Sequence, residues 1–313
     1  MIDERMKPGL ISVLIPVYNN QEILDELNNR LVQVMPQFFA KYEIVLVDDG
    51  SKDNSWEKIE ALKKQNEHIV GIKLIRNFGQ QNAIAAGLEY VSGDVVVLMD
   101  ADLQDKPEDI PKLVDALDQN DVPMAIAKWK TRKDSFFKLV VSRLFYSVSN
   151  KITKIKHQPN LAVFRAFRKE VIVELKKYQE KTSSILSLIY WIGIDYTAVE
   201  LERDERYCGK SGYNLKKMLK IAMDRIFSFS LFPIRMAIFT GLITSICSFL
   251  FGLILTVRYF MGSASPGWTS IVVLILFFFG VNLIFLGIIG EYVGRIFWES
   301  RNRPKFIVKR VLK

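Results

Sequence analysis

Apolar and polar positions alternate in short blocks along the first two-thirds of the chain. Runs at residues 11–17, 43–47, 70–75, 95–99 and 122–127 are β-rich and apolar, and they predict strands. Amphipathic stretches such as 22–35 lie between them and predict helices. This alternation argues for an α/β domain, a mostly parallel, Rossmann-like sheet with helices on its faces. Such sheets collect ligands at the carboxyl ends of their strands, so the segments just after each run matter most. Those segments are unusually polar: P-V-Y-N-N at 16–20, D-D-G-S-K-D at 48–53, R-N-F-G-Q at 76–80 and D-A-D-L-Q at 100–104.

The pattern changes beyond Lys128. A basic amphipathic segment spans 134–152, strands are predicted at 161–167 and 194–201, and a helix starts near Lys169. Residues 214–232 interleave Leu215, Met218, Leu219, Ala222, Ile226 and Phe229 with Lys216, Lys217, Lys220 and Arg225, the make-up of a helix lying in a membrane interface. Two long uncharged runs follow, roughly 22 residues between Arg235 and Arg258 and roughly 32 between Arg258 and Glu291. A 22-residue helix is about 33 Å long, enough for a hydrocarbon core of about 30 Å. Basic residues flank both outer ends, with Arg225 and Arg235 before and Arg295, Arg301, Arg303, Lys305, Lys309, Arg310 and Lys313 after, so both ends are expected in the cytoplasm. The expected organisation is a cytosolic domain at 1–213, an interfacial helix at 214–233, two transmembrane helices at 234–292 and a basic cytosolic tail at 293–313, in the cell (inner) membrane.

Charge and cysteine usage narrow the picture. The formal charge is +9, but much of the excess sits beside the apolar runs, where it suits anionic headgroups better than nucleic acid. Residues 1–9 are charged and the apolar stretch after them is short and carries Pro16, so no cleavable leader is expected. Cys208 and Cys247 fall in a charged loop and an apolar run, which speaks against a structural disulfide and suits a reducing compartment.

The acidic strand ends are the candidate chemistry. Asp100 and Asp102, followed by Gln104, can offer oxygen ligands to one Mg²⁺ or Mn²⁺ while leaving positions for substrate phosphates. Paired acids in loops are often solvated turns, and it is the position after a strand that favours a site. Asp48 and Asp49 read either as a tight turn with a helix cap at Ser51 or Asp53, or as acceptors for a base N–H or ribose hydroxyls. Arg76 is either a surface charge or a partner for a base or phosphate.

These residues resemble the family-2 glycosyltransferases of the GT-A fold, and within them the polyprenyl-phosphate glycosyltransferases, among them dolichyl-phosphate mannose synthases, bactoprenol glucosyltransferases and undecaprenyl-phosphate aminoarabinose transferases. The likeness runs nearly end to end: V-L-I-P-V-Y-N-N at 13–20, V-D-D-G-S-K-D at 47–53, R-N-F-G-Q at 76–80, M-D-A-D-L-Q-D-K-P-E at 99–108, F-R-A-F at 164–167, R-Y-C-G-K-S-G-Y at 206–213 and G-E-Y-V-G-R-I at 290–296. The resemblance implies a GT-A nucleotide-sugar-binding domain with interfacial helices and a C-terminal two-helix membrane hairpin. It also implies that Pro16, Tyr18, Asp48 and Asp49, with Arg76, hold a UDP- or GDP-linked sugar, and that Asp100, Asp102 and Gln104 hold the metal on its diphosphate. Lys128, Arg132, Ser142 and Arg143 stand where the family gathers groups for the acceptor's phosphate, with Arg143 counted beside Asp100 and Asp102 as catalytic, and Arg206 and Ser211 lie in a segment like a lid over the donor. A homotetramer is a further implication of the likeness.

Two departures from the family pattern stand out. Asn20 replaces a frequent Glu, and Val163 precedes Phe164-Arg165 where many members carry an acid, which leaves that position without a carboxylate base. His68 and His157 are the two histidines, and neither sits in a recognisable motif. A phosphate monoester carries about −1.5 to −2 charge at neutral pH, so a lipid phosphate needs no base to become a nucleophile. The expected reaction is a metal-dependent, inverting transfer from nucleotide sugar to polyprenyl (undecaprenyl) phosphate for cell-envelope glycans. Two alternatives fit less well: a processive polysaccharide synthase, whose usual Q-x-x-R-W motif is absent, and a lipid-transport or assembly subunit, for which the apolar runs offer no ionisable residue at depth.

Overall fold

The computed structural model describes residues 9–129, 152–153, 161–178, 185–202, 223, 226–261, 267–301 and 303–313. Contacts divide the chain into two units. The first holds the sheet and takes in Arg303–Lys313 from the far end of the chain, and the second holds Leu215–Asn302 with Ser149–Lys154.

In the first unit the strands are β1 (Ile11–Val17), β2 (Tyr42–Asp48), β3 (Ile69–Leu74), β4 (Val95–Leu98), β5 (Met124–Trp129), β6 (Leu161–Arg168), β7 (Tyr196–Leu201) and β8 (Val308–Leu312). The helices are α1 (Leu24–Phe38), α2 (Ser55–Gln65), α3 (Gln80–Tyr90), α4 (Ile110–Gln119), α5 (Lys169–Lys176) and α6 (Ile185–Ile192). The eight strands form one sheet in the order β7-β5-β6-β4-β1-β2-β3-β8. Strands β4, β1, β2 and β3 are parallel neighbours, β6 runs antiparallel to both β4 and β5, and β7 is parallel to β5. All the strands except β6 and β8 therefore point their carboxyl ends the same way.

β1 is buried along its whole length, as a central parallel strand covered on both faces should be. Ile11, Val13 and Ile15 belong to one large apolar cluster with Leu24, Leu27 and Leu31 of α1, and each such side chain removed from water contributes about 2 kcal/mol. On α3, Gly87 allows close approach to the sheet, since a Cβ there would collide with Leu14 Cδ1 and Val47 Cγ2. β5 begins at Met124 rather than at Val122, because Asp121 holds a positive φ and Pro123 still belongs to the turn. β7 likewise starts at Tyr196, after the turn at Gly193.

β8 departs from the sequence reading, which placed these residues in a basic tail. It pairs antiparallel with β3, Arg310 opposite Lys73 and Val308 opposite Leu74, and Ile75 N–H donates to Ile307 O at 3.0 Å. Arg310 reaches Glu60 of α2 at 2.5 Å, and the same carboxylate oxygen accepts from Trp56 Nε1. The basic side chains sit on the exposed positions of an edge strand, a placement that discourages further edge pairing.

The second unit contains α7 (Phe232–Phe260) and α8 (Trp268–Ser300). Each carries a 24-residue stretch, Phe232–Leu255 and Phe277–Ser300, long and apolar enough to cross a membrane and with none of it buried inside the protein. At one end of the pair the Tyr292 hydroxyl donates to Ser230 O at 2.6 Å and Arg295 Nη1 donates to Ser228 Oγ at 2.9 Å, while Phe227 meets Tyr292 edge to face. Residue 223 and residues 226–229 are helical, Ser230 and Leu231 are not, and Phe232 and Pro233 already belong to α7; residues 214–222, 224 and 225 of the expected interfacial segment lie outside the described residues.

Candidate active site

The carboxyl ends of β1, β2, β3 and β4 open on one cleft of about 320 Å³, within the range of small-molecule sites. Its walls are Pro16 near the end of β1, Tyr18 and Asn20 after it, Asp49 after β2, Asn77, Gly79 and Gln80 after β3, and Asp100 and Asp102 after β4.

The β1 and β2 loops are laced together. Asn19, in the left-handed region with φ 54°, donates its N–H to Ser51 Oγ at 3.0 Å, and its side-chain oxygen accepts from Lys52 N at 2.8 Å. Asn20 N donates to Ser55 Oγ and Gln21 N donates to Asp53 Oδ2. The Asn20 side-chain oxygen caps Tyr18 N at 3.0 Å, which stations the half-exposed Tyr18 ring at the mouth. Desolvation acts upward on the Asp53 carboxyl, but hydrogen bonds from Ser55 and Gln21 outweigh it and hold its pKa below the ordinary value.

Asp48 and Asp49 work behind this loop. Asp48 is fully buried; one oxygen accepts Ser51 N–H at 3.1 Å and the other has no hydrogen-bond partner. Asp49 accepts from Phe78 N at 2.7 Å and from Gly79 N at 2.9 Å, so the β2 acid shapes the loop that follows β3. Burial pushes both carboxyls above the ordinary carboxylate pKa, against the pull of those hydrogen bonds. Gly50 makes the approach possible: its φ is +65°, and a Cβ would fall within 2.7 Å of the Arg76–Asn77 backbone. The hydrogen bonds of Asp48 and Asp49 are those of the turn reading, and Asp49 in addition forms part of the cleft wall.

Asp100 and Asp102 face the cleft without being sealed. Asp100 Oδ1 accepts from Gln80 Nε2 at 2.6 Å, and Asp102 Oδ1 accepts Gln104 N–H at 3.2 Å across a turn in which Leu103 has φ 56°. Among the described residues no group of three or more His, Cys, Asp or Glu side chains is placed to hold a metal. Two hard carboxylates on a cleft wall fit a cation that keeps most of its coordination sphere for water and phosphate oxygens, which is the habit of Mg²⁺.

The structure thus brings Pro16, Tyr18, Asp49, Asp100 and Asp102 to one cleft. It puts Asp48 behind the wall, and Gln104 is only 9% exposed and does not line the cleft. Arg76 is exposed and lies over the Phe78 ring at 4.4 Å, bracing the loop rather than lining the cleft. Lys128 sits opposite Glu200 on β7 and pairs with it at 2.9 Å. Arg132, Ser142, Arg143, Arg206 and Ser211 lie outside the described residues. Sequence reading assigned no role to Gln80 or to Asp105, whose buried carboxylate accepts Asp100 N–H at 3.0 Å; both lie in quoted motifs, but nothing local marks them.

Comparison with known proteins identifies the family. Residues 12–176 match the description "Glycosyl transferase family 2". The chain is 38% identical over 300 residues to "Uncharacterized glycosyltransferase YkcC" of Bacillus subtilis, covering 96% of this chain and 93% of that one. It is 37% identical to the SfII prophage-derived bactoprenol glucosyl transferase of Shigella flexneri, covering 96% and 97%, and 36% identical to the undecaprenyl-phosphate 4-deoxy-4-formamido-L-arabinose transferase of Sodalis glossinidius, covering 98% and 95%. Among solved structures, the mannosyltransferase PcManGT of Pyrobaculum calidifontis, in complex with GDP-Man and Mn²⁺, superposes with a TM-score of 0.52 at 19% identity over 72% of this chain and 65% of that one; at that identity the likeness speaks to the fold. The chain belongs to glycosyl transferase family 2, has the GT-A-like fold, and is a glycosyltransferase.

Proposed function

We propose that this glycosyltransferase moves a sugar from a UDP- or GDP-linked donor to a polyprenyl phosphate such as undecaprenyl phosphate, at the cytoplasmic face of the cell membrane, with inversion at the anomeric carbon. The observation that carries the reading is the convergence of Tyr18, Asn20 and Asp49 with Asp100 and Asp102 on one cleft. The printed names of the relatives, bactoprenol glucosyl transferase and undecaprenyl-phosphate 4-deoxy-4-formamido-L-arabinose transferase, support the lipid acceptor.

Chain connectivity supports the membrane topology. The hairpin of α7 and α8 leaves the first unit before Phe232 and returns to it at β8. A folded sheet stays on one side of a bilayer, so two spans between its parts put both hairpin ends on that side. The basic residues around those ends make it the cytoplasmic side.

Tyr18 and Asn20 flank the nucleoside, and Asp49 keeps the β3 loop pressed to the cleft. Asp100 and Asp102 would hold a divalent cation, Mg²⁺ or Mn²⁺, which when bound neutralises charge on the donor diphosphate. An oxygen of the lipid phosphate forms the new bond to the anomeric carbon as the bond to the nucleoside diphosphate oxygen breaks. No proton changes hands, because the acceptor is already an anion, so the protein's task is positioning and charge compensation. Lys128, held by Glu200, with Arg132, Ser142 and Arg143, supplies charge and a hydroxyl for the acceptor phosphate, and Arg206 and Ser211 contribute to donor binding.

Purified full-length protein with radiolabelled UDP- and GDP-sugars, Mg²⁺ or Mn²⁺ and a short-chain polyprenyl phosphate tests this directly. Label should pass to the lipid with inverted anomeric configuration by NMR. Retention, or the absence of transfer to lipid from every donor tried, would overturn the proposal.

A further inference from the structure

We propose that Gln80 is a positioning residue for the cation site: its side-chain amide, carried to the cleft by the first turn of α3, holds the Asp100 carboxylate in place for a cation without neutralising it. The inference rests on the reading of Asp100 and Asp102 as cation ligands.

The bond joins two loops that the sheet keeps apart. β2 and β1 stand between β3 and β4, a separation of three strand spacings or about 14 Å. Gln80 follows β3, Asp100 follows β4, and both line the cleft. Across it Gln80 Nε2 donates to Asp100 Oδ1 at 2.6 Å. An ionised carboxylate accepts and does not donate, so the nitrogen is the end of the amide that faces it.

The backbone under Gln80 is fixed on both sides. Before it, Phe78 N and Gly79 N donate to the two oxygens of the buried Asp49. Gly79 has φ +92°, which a side chain would strain, and there the chain turns into α3. After it, Ala83 N–H donates to Gly79 O at 3.1 Å and the Asn82 side chain donates to Phe78 O at 2.8 Å. The helix then packs on β1 and β2, where Gly87 lies against Leu14 and Val47. Asp49 thus sets where the amide starts, and the amide sets where the Asp100 carboxylate is held.

The chemistry of the amide suits this task. It restrains one carboxylate oxygen and, being neutral, leaves the whole negative charge to attract a divalent cation. An ammonium at the same point would repel that cation. Hydrogen bonds behind metal-binding carboxylates orient them in this way.

A residue that merely begins a surface helix would leave metal affinity alone, and the test turns on that difference. Mn²⁺ alone is titrated into the full-length chain and free Mn²⁺ is read by EPR, with no donor and no turnover. Gln80 is exposed, so its substitution leaves the core intact. Gln80→Met keeps the length of the side chain and removes the donor, and Mn²⁺ binding should weaken about tenfold. Gln80→Lys keeps a donor but adds a positive charge, and should weaken binding at least as much. In the transfer assay Gln80→Met should raise the metal requirement, with kcat largely recovered at saturating Mn²⁺. Wild-type Mn²⁺ affinity in Gln80→Met overturns the proposal, even where Gln80→Lys binds weakly, because lysine repels the cation by charge alone. Undiminished Mn²⁺ binding in Asp102→Ala would instead strike the cation-site reading itself, a separate outcome.

Discussion

The acids after β2 and those after β4 look alike along the chain, Asp-Asp-Gly against Asp-Ala-Asp, yet the fold uses them differently. Asp48 and Asp49 are 0% and 2% exposed, and Asp49 gives both oxygens to the backbone of the β3 loop. Asp100 and Asp102 stay half-exposed on the cleft wall. The first pair braces the wall, and the second leaves its carboxylates on the cleft surface. Acid spacing does not separate these roles. What separates them is where the next loop packs: the β3 loop lies against Gly50, whereas the turn after Asp100 folds back on its own residues through Asp105 and Gln104.

Substitution should divide the pairs by what fails. The largest effect is expected for Asp102→Ala, with turnover down about a thousandfold, or about 4 kcal/mol of lost transition-state stabilisation. Its melting curve should stay within about 0.5 kcal/mol of wild type, as for most substitutions outside a core. Radiolabel transfer beside a denaturant melt checks both halves, and undiminished transfer would remove Asp102 from the site. Asp49→Ala should reverse the pattern. It strands two backbone N–H donors that now bond a carboxylate, so a loss of about 3 kcal/mol in stability is expected, together with weaker donor use as the β3 loop loosens. A variant with wild-type stability and only weaker donor binding would erase the contrast between the pairs.

How far this was legible in the sequence depends on whether the signal was local. β1 was bounded at 11–17 as observed, because a strand buried on both faces writes an unbroken apolar run. β5 was read two residues early because Val122 is apolar, although it belongs to the turn. β8 left no readable trace: V-K-R-V-L is short and basic, and its strand character comes from pairing with β3, more than 200 residues away in the chain. Within the site, Asp100 and Asp102 were legible from type and position. The burial of Gln104 was not, nor was the Lys128–Glu200 pair, which exists only through the register of β5 with β7. Arg165 was visible as part of F-R-A-F, but its burial between Leu98 and Ile126 needs the antiparallel register of β6 with β4 and β5.

The smallest and most specific effect concerns pH. Desolvation raises the Asp48 carboxyl above its ordinary pKa, with the Ser51 hydrogen bonds and Lys73 only partly offsetting it. A group whose folded pKa lies above its unfolded value contributes stability that is fully present below the unfolded value, about 3.9 for Asp. That contribution is lost as pH rises through the raised folded value. Asn at this position has no proton to lose, so Asp48→Asn escapes the decline. The amide also leaves a polar group where Asp48 Oδ2 has no hydrogen-bond partner, but that cost does not vary with pH. The stability difference between Asp48→Asn and wild type should therefore move in the variant's favour between about pH 4 and neutrality, by about 1.4 kcal/mol for each unit of upward shift. Urea melts of both proteins at several pH values measure it. A difference that stays flat across the range would mean that Asp48 carries its charge as easily inside the fold as outside, and that the β2 acids are not the desolvated half of the comparison.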